Sequence, residues 1–126
     1  MRTMALVFFG AGVGGVLRHY VNVFSGRLLG GSFPFGVMFI NISGSLAMGL
    51  LAGYFAFKGA ASVKDARLFL MTGVLGGYTT FSAFSLDAAL LMERGDWAGA
   101  AVYLFGSVGL SLVALLFGLF VMRSLA

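Results

Sequence analysis

The chain has 126 residues, 60% of them hydrophobic by type and only 10% charged, with a formal net charge of +4. A soluble domain carries roughly a quarter charged residues, so apolar sequence this continuous is read as solvated by a bilayer. Having no cysteine excludes disulfides, thiolate metal sites and cysteine nucleophiles, and a single histidine, His19, rules against a histidine metal site or triad. The basic residues are spread along the chain with no run of the kind that binds nucleic acid.

Four apolar stretches are expected to be transmembrane helices: about Met4–Phe24, Phe33–Phe57, Leu68–Met92 and Trp97–Met122. Each reaches the roughly 20 residues needed to cross about 30 Å of hydrocarbon. The first opens near a charge, Arg2, but no cleavage-like site follows, so it reads as a retained span. Its uncharged run, Met4–Leu17, covers about 21 Å and then meets Arg18 and His19. Arg18 can snorkel to the headgroups or be held in a protein vestibule. Gly10 and Gly14, spaced by four, let helix backbones approach closely, either within the chain or between two copies.

Ser25-Gly26-Arg27, Gly30-Gly31-Ser32 and Pro34 punctuate the first break. The second span repeats the small-residue spacing at Ser45, Gly49 and Gly53, and carries Asn41 deep in apolar sequence. Its amide offers two donors and an acceptor, for a helix-to-helix bond or for a ligand. The second break runs from Lys58-Gly59 to Lys64-Asp65-Ala66-Arg67.

The third span is interrupted by Gly76-Gly77-Tyr78-Thr79-Thr80. Paired glycines followed by two β-branched residues make a poor helix. A break there frees carbonyls, which suit a hard cation such as Na⁺, and amides, which suit an anion. The alternative is an unbroken helix whose threonines bond back to the preceding turn. Phe81 and Phe84 follow, spaced by three so that a helix places them on one face, as it does Ser82 and Ser85. Such rings ordinarily pack against lipid or core, but a ring edge is electropositive and can face an anion.

Glu93-Arg94-Gly95-Asp96 forms a tight third turn, with Trp97 at interface level. In the fourth span Tyr103, Ser107 and Ser111 lay three hydroxyls along one helical stripe, about 12 Å long. With four spans, Arg2, Lys58, Lys64, Arg67 and Arg123 fall on one side and Arg18, Arg27 and Arg94 on the other. This bias is weak for the positive-inside rule, and insertion in both orientations is compatible with it.

The segment Thr72-Gly73-Val74-Leu75-Gly76-Gly77-Tyr78-Thr79-Thr80-Phe81-Ser82-Ala83-Phe84-Ser85 closely resembles the third-helix signature of the Fluc (CrcB) fluoride channels. The resemblance extends over the chain: Gly15-Val16-Leu17-Arg18 is similar to that family's first-helix arginine motif, and Pro34-Phe35-Gly36 followed by Asn41 to its second-helix asparagine motif. The Tyr103, Ser107 and Ser111 stripe is similar to its fourth-helix hydroxyl track.

The resemblance implies an all-α protein of four transmembrane helices, the third broken mid-membrane, acting in a bacterial inner membrane as an antiparallel, dual-topology homodimer that passes fluoride passively. It further implies a structural Na⁺ on the backbone carbonyls of Gly76 and Thr79, a fluoride pathway of Asn41, Phe81, Phe84, Tyr103, Ser107 and Ser111, and Arg18 in a vestibule. Three residues depart from the family pattern: Ala83 replaces a threonine, Asp87 a glutamate, and Val37 a threonine found in some members.

Two other readings compete. A small multidrug-type exporter exchanges protons at a mid-span carboxylate, and here Asp87 lies near the end of the third span. A structural membrane subunit has no pore, so Asn41 and Phe84 would serve assembly alone. An enzyme is not expected, because no nucleophile–base pair exists beyond isolated hydroxyls.

Overall fold

The computed structural model describes residues 1–125, all helices and short connections. α1 spans Arg2–Leu29 and α2 spans Phe35–Phe55. A composite third rod follows: α3 at Ala60–Arg67, a π-helical segment at Leu68–Leu75, α4 at Gly76–Tyr78 and α5 at Ser82–Glu93. α6 spans Trp97–Leu125. Four helical stretches, with Ala60–Glu93 taken as one, are long and apolar enough to cross a membrane.

The connections follow from turn chemistry. α1 continues past Phe24 to Leu29 and stops where Gly30, at φ 79°, donates its N–H to Gly26 O. The second break is largely helical: Ala60–Arg67 winds up with Val63 buried and Lys64 and Arg67 in its last turn. Past Glu93 the chain turns at Gly95, φ 80°, and Asp96 Oδ1 accepts the Gly99 N–H at 2.9 Å, capping α6.

Close backbone approach sets the packing. α1 lies against the π-helical segment and α4, while α2 lies against α6. A Cβ added at Gly10 would stand 2.6 Å from Phe69 O, and one at Gly14 would strike Val74 O and the Tyr78 amide. Across the other seam, a Cβ at Gly118 would stand 2.7 Å from Leu50 N, and one at Gly53 would stand 2.7 Å from Met122 Cβ. The glycine stripes therefore serve packing within the chain, where small residues maximise van der Waals contact in a solvent of lipid.

Two exposed contacts join the ends. Arg2 pairs with Asp65, joining the start of α1 to α3. Arg94 donates to the Ser32 carbonyl, joining the α5–α6 turn to the α1–α2 loop. A buried cluster of Val37, Phe84, Ala88, Leu91, Ala100 and Tyr103 locks α2, α5 and α6 together at the same end.

Candidate functional site

The site is built around the interval between α4 and α5. Helical winding stops at Tyr78, because Thr79 is extended at ψ 156°. Thr79 still reaches back, donating both its N–H (3.0 Å) and its Oγ1 (2.9 Å) to Leu75 O. In a continuous α-helix the Thr80 N–H would close on Gly76 O and the Ala83 N–H on Thr79 O. Here Thr80 donates to Asn41 Oδ1 at 2.9 Å, and Ala83 donates to Thr80 Oγ1 at 3.2 Å. Side chains thus take both amides, leaving the Gly76 and Thr79 carbonyls without those partners.

Asn41 answers the interval from α2. Its Nδ2 donates to Thr80 O at 3.0 Å while Oδ1 accepts from Thr80 N. This pairing fixes which end of the amide faces which backbone group, and it leaves one Asn41 N–H uncommitted. Nearby, the Ser43 and Tyr78 hydroxyls meet at 3.0 Å.

A crevice of about 400 Å³ opens beside Asn41 and Thr80. Asn41, Thr79, Phe81, Phe84, Ser107 and Ser111 all line it. The two rings have unlike surroundings: Phe84 is 6% exposed and Phe81 78%, although their centroids lie 5.7 Å apart. Ser107 Oγ and Ser111 Oγ are both buried, and among the described residues neither has a hydrogen-bond partner. Serines in a span ordinarily bond to a carbonyl one turn back, so two unpartnered hydroxyls on one stripe leave donors for something not in the chain.

Tyr103, the third residue of that stripe, is fully buried behind Phe84. The two rings are 5.1 Å apart, and the phenol donates to Asp87 Oδ2 at 3.2 Å. Tyr103 therefore backs the crevice rather than lining it. Gly76 also stands outside the lining.

Arg18 lines a second crevice of about 220 Å³, with Gly15, His19, Asn22, Val37, Thr80 and Ala83. Thr80 borders both spaces, so it is the wall they share. Val37 and Ala83, two of the three departures from the family pattern, both face this space, which Arg18 thus enters without a threonine hydroxyl from either position.

Thr80 belongs to the interruption at Gly76–Thr80, but its part as a cap and as a partner of Asn41 was not expected from the sequence. A threonine three residues ahead of the Ala83 amide, at the start of an apolar helical run, is an N-cap signal. His19 and Asn22 gave no signal of their own, because it is the packing of α1 against the third rod that brings them to the crevice Thr80 borders.

The family described as "CrcB-like protein, Camphor Resistance (CrcB)" matches residues 5–119. A protein of Rhodopseudomonas palustris (strain BisB5) named "Fluoride-specific ion channel FluC" is 60% identical over 123 residues, covering 98% of each chain. "Fluoride-specific ion channel FluC 2" of Nitrobacter hamburgensis is 58% identical over 120 residues, covering 95% of this chain and 96% of its own. A protein of Beijerinckia indica subsp. indica, named like the first, is 58% identical over 127 residues and covers 100% of both. Four helices able to cross a bilayer, together with these relatives, make the chain a multi-pass membrane protein. With the family model matching residues 5–119 and relatives about 60% identical along nearly the whole chain, the chain belongs to the CrcB family.

Proposed function

We propose that this chain is a fluoride-selective channel that passes F⁻ passively and so lowers cytoplasmic fluoride. The observation that carries the reading is the crevice in which an uncommitted Asn41 N–H, two phenylalanine rings and two buried, unpartnered serine hydroxyls meet. Fluoride is small and strongly hydrated, so a pore must replace its water with hard donors placed close together. Ser107 and Ser111, one helical turn and about 6 Å apart, hand the ion along the stripe. The edges of Phe81 and Phe84 offer weak positive poles without a full charge to trap it. Tyr103, held by Asp87, keeps Phe84 in place from behind. Arg18 gathers anions in the neighbouring crevice. The naming of the relatives as fluoride-specific channels supports the same reading.

The working unit is an antiparallel, dual-topology homodimer with the third helix broken at Thr79. The polar groups of Asn41, Thr79, Ser107 and Ser111 in the crevice beside Phe81 suit an interface with a second copy better than lipid. Na⁺ at the centre of the dimer would be held by the Gly76 and Thr79 carbonyls, whose amide partners are diverted to Asn41 and Thr80. Uncharged oxygen donors fit a hard monovalent cation, which would supply fixed charge and join the two subunits there.

The test is efflux from liposomes holding the purified chain, read with a fluoride electrode. Fluoride flux well above protein-free vesicles, with chloride flux far lower, is expected; no flux, or chloride passing equally, overturns the reading.

A further inference from the structure

We propose that the groove between the C-terminal half of α1 and the N-terminal half of α2 binds one anionic phospholipid, with its phosphate on Arg27. The groove has a volume of about 800 Å³ and lies between Tyr20, Phe24 and Leu29 on one helix and Phe35, Phe39 and Ile42 on the other. Its placement separates it from the ion site. Arg18, His19 and Asn22 line the crevice that borders Thr80, whereas Tyr20, Phe24 and Arg27 line the groove. At about 100° per residue, Tyr20 points about 200° away from Arg18. The groove therefore opens on the far face of the α1–α2 pair, where hydrocarbon is the solvent.

Charge decides which lipid fits. Arg27 is the one charged residue in the lining and sits in the last turn of α1. Among the described residues no carboxylate pairs with it. The cation thus stands at the interfacial end, and the aromatic wall descends from it: Tyr20 is about 10 Å deeper than Arg27 along α1. A phosphodiester at Arg27 with an acyl chain laid past Phe24 and Phe39 matches both ends at once. Basic pockets between transmembrane helices recognise anionic headgroups by this combination. A neutral lipid fills the apolar part but leaves Arg27 unanswered. The inference rests only on the chain lying in a membrane, and holds whether or not fluoride is the ion conducted.

The experiment is native mass spectrometry of the purified full chain titrated with phosphatidylglycerol or phosphatidylcholine. Wild type is expected to retain phosphatidylglycerol about fivefold more strongly, the contribution of roughly one interfacial arginine. Arg27→Gln is expected to erase that preference and Arg27→Lys to keep most of it. Equal retention of the two lipids by wild type, or an undiminished preference in Arg27→Gln, overturns the proposal. A second copy in the groove is tested with Phe39→Cys, the sole thiol in a chain without cysteine. Efficient disulfide cross-linking at that position in vesicles overturns it too.

Discussion

Asn41 and Thr80 close a two-way hydrogen-bonded ring, the side-chain amide of one donating to and accepting from the backbone of the other at 3.0 and 2.9 Å. A side chain from α2 thereby stands in for a helical neighbour at the point where the third rod loses its own ladder.

Asn41→Ala strands the Thr80 N–H and carbonyl away from water, at a cost of about 1–3 kcal/mol for each group. Thermal unfolding in detergent should fall accordingly, and fluoride efflux from vesicles should drop to background. Asn41→Asp keeps an acceptor for the Thr80 N–H but faces its carbonyl with a negative charge, so flux should be lost there as well. Wild-type efflux in either variant would remove Asn41 from the pathway.

The two phenylalanines should separate in stability. Phe84 packs on Tyr103 and is buried, so Phe84→Ala should destabilise the fold by about 3–5 kcal/mol. Phe81 stands exposed, and Phe81→Ala should shift the stability of the single chain by only about 0.5 kcal/mol. Efflux should suffer in both. The check is detergent unfolding beside the electrode assay.

Replacing Ser107 and Ser111 by alanine should pull function and stability apart. Each serine is a buried hydroxyl without a partner, and its removal relieves about 1–3 kcal/mol of desolvation cost. The double variant should unfold no earlier than wild type, yet conduct fluoride far more slowly. Early unfolding would mean that the hydroxyls are bonded after all.

Gly14→Ala should loosen the seat of α4. The new methyl would collide with Val74 O and approach the Tyr78 amide, and overpacking of this kind costs about 1–3 kcal/mol. Because Tyr78 is the last helical residue before Thr79, efflux should decline along with the unfolding temperature. Gly12→Ala is the matched control, since nothing lies near its added methyl.

If Na⁺ is held by the Gly76 and Thr79 carbonyls, exchanging it for N-methylglucamine should lower stability. The loss approaches about 2.7 kcal/mol if Na⁺ was present at a hundred times its Kd. Melting temperature followed against Na⁺ concentration reads the effect directly, and a flat titration would argue for an empty centre.

The four long apolar helices were legible because a bilayer demands about 20 apolar residues at a stretch, a signal independent of tertiary contacts. The glycine stripes were legible as close-approach surfaces, but not their partners, since spacing gives a face and never what covers it. Tyr103 shows the limit at the site. It falls on the stripe with Ser107 and Ser111, yet its longer side chain passes behind Phe84 to Asp87, a partner on another helix. The helical Ala60–Arg67 was hidden for a different reason. Its mixed polar composition marked a break between spans, while Val63, its one buried residue, gave it a point of packing.

The diverted amides have a genetic consequence. Carbonyl oxygens belong to the backbone, so most codon changes at Gly76 or Thr79 leave those oxygens in the protein. What keeps them open is the chemistry of Asn41 and Thr80, whose side chains hold the amides away. A selection for fluoride-sensitive cells should therefore recover lesions at Asn41 and Thr80 more often than at the residues bearing the carbonyls, and suppressors should restore a polar group at one of those two positions.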